Sequence, residues 1–355
     1  MRVIFAGGGT GGHVFPALAV ADELRARSPQ PEIAFIGVER GLEGRVVPAA
    51  GYRLHTIAAT GFHGVGWNAK ARSVWLLGRS TVACERLLRE FDADAVFSVG
   101  GYVSAPVMLA AAFSQRPSVM FESNAEPGLA NRALAPLATR VAVTYEATLR
   151  FFDRNAVRTG SPVRRAFLRV PPKQHAPPFT LLIFGGSQGA LGINAAVVES
   201  LDILRAVPHE LRFIHQSGER DFDAVRTAYA RRGIRADVRP FIENMADCFA
   251  QADLIVCRAG ASTLAELAAA GKAAILVPFP QAAGQHQLRN AELLARAGAV
   301  RLLEQRELSG ARLAATLLEL LEQPERIATM EERVRAFAVP AAAARLADLI
   351  ESVAR

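Results

Sequence analysis

Cysteine is scarce in this chain. Cys84, Cys248 and Cys257 are widely spaced and odd in number, which excludes a disulfide framework and a zinc knuckle and fits a reducing compartment. Aromatic residues make up only 7%, and no RNA- or DNA-binding signature accompanies them, so nucleic acid is not an expected partner. Long apolar runs are missing as well. No stretch of about 18 residues is free of charge or of Gly/Pro punctuation, so no membrane span is expected. Residue 2 already opens an apolar strand, which leaves no signal peptide to expect. Charge of one sign never gathers into a block, and 51% hydrophobic against 21% charged residues argues for folded domains rather than disorder.

A length of 355 residues suggests two domains. The net charge of +7 points to phosphates or lipid head groups as partners. Short Val/Ile/Leu/Phe runs alternate with Ala/Leu/Arg-rich helical stretches. Strands are expected at Arg2–Phe5, Ile33–Ile36, Ala95–Val99, Ser118–Phe121, Arg140–Val143, Thr180–Phe184, Arg212–Gln216, Leu254–Cys257 and Ala274–Val277. Continuous apolar strands between helices mark parallel sheets covered on both faces, an α/β protein.

A repeat organises the chain. Val3–Ala6 runs into Gly7–Gly12 and a helix expected over Val14–Arg27, and Leu181–Phe184 runs into Gly185–Ala190 and another helix. Between them lies the proline-rich strip Val170–Pro178, which can be neither helix nor central strand. Two doubly wound domains follow. Pro340 breaks a helical pattern, so that the last helix is free to return to the first domain.

A strand that leads through glycines into a helix N-terminus suits a phosphate, because the helix end offers unpaired N–H groups and partial positive charge. The shape occurs three times, at residues 7–12, at Gly100-Gly101-Tyr102-Val103-Ser104 and at residues 185–190. Gly7–Gly12 also fits the dinucleotide fingerprint G-x-G-x-x-G, with Glu39 as a ribose acid. That single match explains neither His13 nor the second half's own loop. His13 stands where the helix dipole disfavours an imidazolium, and a neutral imidazole beside a phosphate is poised to take a proton. A structural histidine is the competing reading.

Five motifs occur in order: Gly8-Gly9-Thr10-Gly11-Gly12-His13, Gly100–Ser104, Gly160-Ser161-Pro162-Val163-Arg164, Gly185-Gly186-Ser187-Gln188-Gly189-Ala190 and Cys257-Arg258-Ala259-Gly260-Ala261-Ser262-Thr263. Together they resemble the MurG family within glycosyltransferase family 28, over nearly the full length. The resemblance implies a GT-B fold, two Rossmann-like doubly wound parallel-sheet domains facing across a cleft. Residues 1–159 with 339–355 would bind acceptor and membrane, and residues 160–338 would bind UDP-GlcNAc. It implies inverting transfer of GlcNAc from UDP-GlcNAc to the C4 hydroxyl of MurNAc in lipid I, giving lipid II. No cofactor or metal is implied. The place implied is the cytoplasmic face of the bacterial plasma membrane, as a peripheral protein.

The resemblance also assigns roles. Thr10, Gly11 and Gly12 would line the donor side, with His13 as base. Gly100, Gly101, Tyr102 and Ser104 would form the acceptor diphosphate loop. Asn124 would hold the GlcNAc hydroxyls, Arg164, Ser187 and Gln188 the diphosphate, and Ile242 the uracil. Ala261, Ser262, Thr263, Leu264, Ala265 and Glu266 would form a nucleotide-binding turn, and Gln287 would reach the sugar. Glu266 could accept from both ribose hydroxyls, or be an ordinary first-turn helix acid. The family usually carries His-Glu-Gln-Asn where this chain has Phe121-Glu122-Ser123-Asn124, which makes Glu122 a second contender for the base. Ala259 stands where the family often has serine.

Asp92-Ala93-Asp94 matches the Asp-x-Asp string of metal-dependent transferases, but it precedes the strand Ala95–Val99, at the edge opposite to where ligands bind. A solvated turn is expected. Val65–Arg79 holds both tryptophans, Trp67 and Trp75, among bases and leucines, a mixture suited to an anionic membrane surface, or else a core helix with Trp75 buried. The competing functions are a UDP-GlcNAc 2-epimerase, an NAD-dependent dehydrogenase and a non-catalytic sugar-nucleotide sensor.

Overall fold

The computed structural model describes every residue except 10, 39, 40, 59–66, 187 and 209, and the backbone alone of 67–72 and 283. Two compact units divide the chain: Met1–Arg164 with Val339–Arg355, and Arg165–Ala338. The first contains β1 (Arg2–Gly7), β2 (Glu32–Gly37), β3 (Arg53–Thr56), β4 (Ala95–Gly100), β5 (Ser118–Glu122), β6 (Arg140–Val143) and β7 (Ala156–Arg158). They pair in parallel in the order β3-β2-β1-β4-β5-β6-β7. The second contains β8 (Phe179–Phe184), β9 (Leu211–Gln216), β10 (Ala236–Arg239), β11 (Leu254–Cys257), β12 (Ala274–Leu276) and β13 (Arg301–Leu302). Their order, β10-β9-β8-β11-β12-β13, is again all parallel. In each sheet the strand order reverses beside the first strand, between β1 and β4 and between β8 and β11. Ligands of such sheets bind at that switch point, beyond the carboxyl ends.

All nine expected strands form. The four missed are β3, β7, β10 and β13, the edges of the two sheets. None of their residues is buried, so they carry no apolar run to read. Inner strands alternate between two covered faces. Val3, Phe5, Phe35, Phe97 and Phe121 pack beneath the helix Gly11–Arg25, while Ile4, Ala6, Ile36 and Val96 meet Cys84, Leu88, Val107 and Ala111. The last helix, Ala342–Val353, buries Leu346, Ala347 and Ile350 in the first of these cores. The first helix starts at Gly11 rather than Val14, which places His13 in its opening turn, where N–H groups lack helical partners.

In the second unit the proline-rich strip is tied to the sheet by a buried ionic cluster. Asp253, wholly buried just before β11, accepts from the Thr180 amide at 2.7 Å, Lys173 Nζ at 2.5 Å and His175 Nδ1 at 3.0 Å. His175 Nε2 lies 3.3 Å from Glu331, which also faces Lys272 at 4.0 Å and Arg335 at 3.7 Å. Burial alone would lower the His175 pKa, yet Asp253 and Glu331 raise it from 6.5 to about 9. The folded state therefore binds this proton more tightly than the unfolded chain does. The stabilisation is whole below pH 6.5 and is lost as pH rises through about 9. Melting temperatures taken below and above that window should fall further for the wild type than for His175→Gln. Parallel curves would remove His175 from the account.

Candidate active site

In the first unit the loop after β1 meets the loop after β4 across their paired ends, where Ala6 sits beside Ser98 and Gly7 beside Gly100. Gly101 has φ +87°, and a Cβ there would collide with the Gly8 carbonyl oxygen. Only glycine allows so close an approach. His13, half-buried, sits in this junction. Its Nδ1 lies 3.2 Å from the Gly8 carbonyl. A carbonyl can only accept, so Nδ1 carries the ring proton and Nε2 is the basic nitrogen. Tyr102 is exposed beside this junction, and Ser104 is buried with its hydroxyl accepting from Ser98 Oγ at 2.8 Å. Gly11 and Gly12 open the helix that carries His13. Arg164 lies with its guanidinium 4.6 Å from the ring centroid of Phe15 on that same helix. Thr10, Ser187 and Glu39 lie outside the described residues.

Glu122 closes β5 and is only 1% exposed. Its Oε1 accepts from the Asn124 amide and from Asn124 Nδ2, both at 2.9 Å, and its Oε2 accepts from Asn131 Nδ2 at 2.8 Å. Burial pushes its pKa up against these bonds, which pull it down. A sealed carboxyl with both oxygens engaged orients Asn124 and Asn131 rather than meeting a solvent-side hydroxyl. Phe121, where the family usually has histidine, is wholly buried in the aromatic core, 0% exposed. Asn131 escaped the sequence reading, since its only signal is a helical spacing that ends opposite Glu122.

The second unit's candidates gather at the carboxyl ends of its strands. Gln216, ending β9, donates to the Gly186 carbonyl at 2.7 Å and accepts from the Ile242 amide at 2.8 Å. It thus ties the glycine loop that holds Gln188 to the loop that holds Ile242, whose side chain is buried. Nothing in the sequence marks Gln216. Phe184 pairs with Cys257, so the turn that follows β11 neighbours the glycine loop. There Gly260, extended, begins the helix Ala261–Ala270. Ala261, Ser262 and Thr263 supply its unpaired first-turn amides, Leu264 is buried, and Ala265 precedes Glu266. Glu266 lies in the second turn and is 8% exposed, unlike an ordinary solvated first-turn acid. Arg258 Nη1 donates to the Val277 and Pro278 carbonyls at 3.1 and 3.2 Å, and burial pulls its pKa down to about 10. Gln287 Oε1 accepts from the Phe279 amide at 2.9 Å, which fixes the loop that follows β12.

Asp92 and Asp94 sit at the amino edge of the first sheet. Arg2 pairs with Asp92 and donates its amide to Asp94 at 2.6 Å, and Arg116 lies 3.5 Å from Asp92. They belong to an ionic turn, at the edge opposite the glycine loops. The helix Trp67–Glu90 exposes Trp75, Arg79, Val82 and Arg86 at helical spacing, Trp75 being 62% exposed with the Arg79 guanidinium 5.6 Å from its ring. The reading of a core helix with Trp75 buried is therefore not met. The Trp67 side chain lies outside the described residues.

Two doubly wound sheets in one chain, each with a glycine loop beyond its first strand, make the GT-B fold. Residues 3–143 match the glycosyltransferase family 28 N-terminal domain, and residues 180–346 match the family's C-terminal domain. A UDP-N-acetylglucosamine–N-acetylmuramyl-(pentapeptide) pyrophosphoryl-undecaprenol N-acetylglucosamine transferase of Solibacter usitatus is 45% identical, covering 99% of this chain and 96% of its own. The crystal structure of Acinetobacter baumannii MurG is 31% identical, with a TM-score of 0.79 and 99% of both chains covered. A UDP-GlcNAc 2-epimerase from Neisseria meningitidis, bound to UDP-GlcNAc, is 12% identical with a TM-score of 0.69 over 99% of this chain and 100% of that one, and shares the fold alone. The chain belongs to glycosyltransferase family 28, in its MurG branch.

Gln216→Leu would leave the buried Ile242 amide without its partner, at a cost of about 1–3 kcal/mol, while the Gly186 carbonyl keeps its bond from the Gly189 amide at 3.0 Å. Urea unfolding should show that loss. An unchanged midpoint would mean that other groups hold the two loops.

Proposed function

We propose that this chain is the N-acetylglucosaminyltransferase that moves GlcNAc from UDP-GlcNAc to the C4 hydroxyl of the MurNAc in lipid I, forming lipid II for peptidoglycan synthesis. The observation that carries the reading is the likeness along the whole chain, across both domains, to transferases of that name. In this reading His13 is the base. It deprotonates the acceptor hydroxyl, which attacks the anomeric carbon from the face opposite UDP and inverts it. Glu122 is the anchor that orients Asn124 toward the sugar. Gly100, Gly101, Tyr102 and Ser104 receive the acceptor diphosphate. Thr10, Gly11 and Gly12 face the donor. Arg164, Ser187 and Gln188, with the helix Leu191–Arg205, stabilise the departing UDP. Ile242 and the turn Ala261–Glu266 hold the nucleoside, and Gln287 holds the sugar.

Purified protein should release UDP from UDP-GlcNAc only when a short-chain lipid I analogue is added, and should do so in EDTA. His13→Ala should lower kcat by roughly 10²–10⁴-fold, the contribution of a positioned base, while UDP still binds. Release without acceptor would favour an epimerase, and release abolished by EDTA would return attention to Asp92 and Asp94. No release at all would fit a sensor.

We also propose that the protein works at the surface of the plasma membrane, on its cytoplasmic side. Among the described residues no helix is long and apolar enough to cross a bilayer. The acceptor is a lipid, and the exposed face of Trp75, Arg79, Val82 and Arg86 offers an aromatic ring, an aliphatic side chain and two bases to an anionic interface. Each base near such a surface is worth about 1 kcal/mol. Arg79→Ala with Arg86→Ala should therefore weaken sedimentation with anionic vesicles by roughly thirtyfold. Equal binding would place the membrane contact elsewhere.

A further inference from the structure

Glu43 opens the short helix Glu43–Ala49 and is 0% exposed. Its Oε2 accepts from the Gly9 amide at 2.9 Å, and its Oε1 accepts from the Val38 amide at 3.0 Å. Three glycines make room for it, since a Cβ at Gly8, Gly37 or Gly41 would run into the Glu43 side chain. The Gly9 N–H and the Gly8 C=O belong to one planar peptide unit. That carbonyl is the group that faces His13 Nδ1 at 3.2 Å. Carboxylate, peptide and imidazole thus form one chain of hydrogen bonds, from a buried negative charge to the ring.

We propose that Glu43 is a positioning residue for proton transfer at His13, acting through the Gly8–Gly9 peptide. The proposal rests on the reading of His13 as base. A negative charge on the N–H end of an amide polarises it and makes its carbonyl a stronger acceptor. The carbonyl then holds the proton on Nδ1, fixes the plane of the ring and leaves the basic lone pair on Nε2. In the transfer step the acceptor O–H bond breaks and an N–H bond forms at Nε2. The oxygen attacks the anomeric carbon, and the bond from that carbon to the diphosphate oxygen breaks with its electron pair leaving on UDP. The positive charge that appears on the imidazole faces the polarised carbonyl. Glu43 gives and takes no proton. On the other side of the ring, Gly100 keeps the space that its Cβ would fill at 3.0 Å from Cδ2 and Nε2.

The test combines histidine ¹⁵N NMR of the full chain, with His13 assigned by its loss in His13→Ala, and kinetics of Glu43→Gln. Gln cannot accept at both oxygens, so one of the two backbone amides loses its partner. We expect the wild-type His13 to carry its proton on Nδ1 and the variant to show a mixture of tautomers. In the variant kcat should fall by about ten- to a hundredfold, the range for outer partners that orient a functional histidine. KM for UDP-GlcNAc should not move, and Glu43→Gln should cost no further kcat when added to His13→Ala. Loss factors that multiply in the double variant, or a wild-type ring protonated on Nε2, would overturn the proposal. Should Glu43→Gln not fold, Glu43→Asp takes its place, keeping the charge but shortening its reach. A His13→Ala enzyme with wild-type kcat would overturn the base reading alone, because the tautomer still reports whether Glu43 sets the ring.

Discussion

The contact on which the first unit's chemistry depends is the approach of one backbone to another beyond the ends of β1 and β4. Neighbouring parallel strands are held about 5 Å apart by their hydrogen bonds, so the loops that leave them are forced together. A side chain at Gly101 would strike the Gly8 carbonyl and wedge them open, and one at Gly8 would run into Glu43. With glycine at both places the Gly8 carbonyl comes within reach of the His13 ring, so a main-chain group faces Nδ1 of the imidazole. The close approach itself accounts for glycine at Gly101, and on the proposed reading it also sets the orientation of the base.

The two units use one topology for different work. In the first, the groups beyond the carboxyl ends are a histidine, two asparagines around a sealed glutamate, and a loop with an exposed tyrosine. In the second they are backbone amides, a glycine loop, and two glutamines that fasten one loop to another. In the proposed reading the first set moves a proton and grips a polar acceptor, and the second holds a nucleoside and a diphosphate without taking part in bond making. The ionic ties of Asp92, Asp94 and Asp253 all lie at the amino edges of the sheets, where they fasten strand ends and the proline-rich strip without entering the ligand side.

What the sequence let through follows burial. The nine inner strands are legible because both faces of each are covered, which demands uninterrupted apolar residues. The edge strands Arg53–Thr56, Ala156–Arg158, Ala236–Arg239 and Arg301–Leu302 meet no such demand and stay silent. The site was legible where it is made of backbone, since glycine loops leave a composition signal. It was illegible where one buried polar side chain bridges two segments. Gln216, Asn131 and Glu43 are single letters whose partners lie 26, 9 and 34 residues away. For Glu43 one clue was available in retrospect: Gly37 and Gly41 crowd the same turn, and a glycine pair beside a carboxylate that follows a strand signals room kept for that carboxylate. Phe121 shows the reverse case. A family position that usually bears a histidine is filled here by a core phenylalanine, and Glu122, the second contender for the base, is buried beside it.

The fold alone does not decide between a transferase and an epimerase, since a UDP-GlcNAc 2-epimerase shares it at 12% identity. The decision lies in the likeness along both domains, 45% identical to a named transferase against 12% to the epimerase. The first unit carries a second glycine loop at Gly100–Ser104 and a helix face of Trp75, Arg79, Val82 and Arg86 turned to solvent. An aromatic ring and a valine left in water beside two bases cost solubility and add nothing to the core, and a partner that is both lipid and anion accounts for both. A polyprenyl diphosphate acceptor has that chemistry. His13, the base in the proposed reading, stands in the same unit, with its Nδ1 turned to the Gly8 carbonyl.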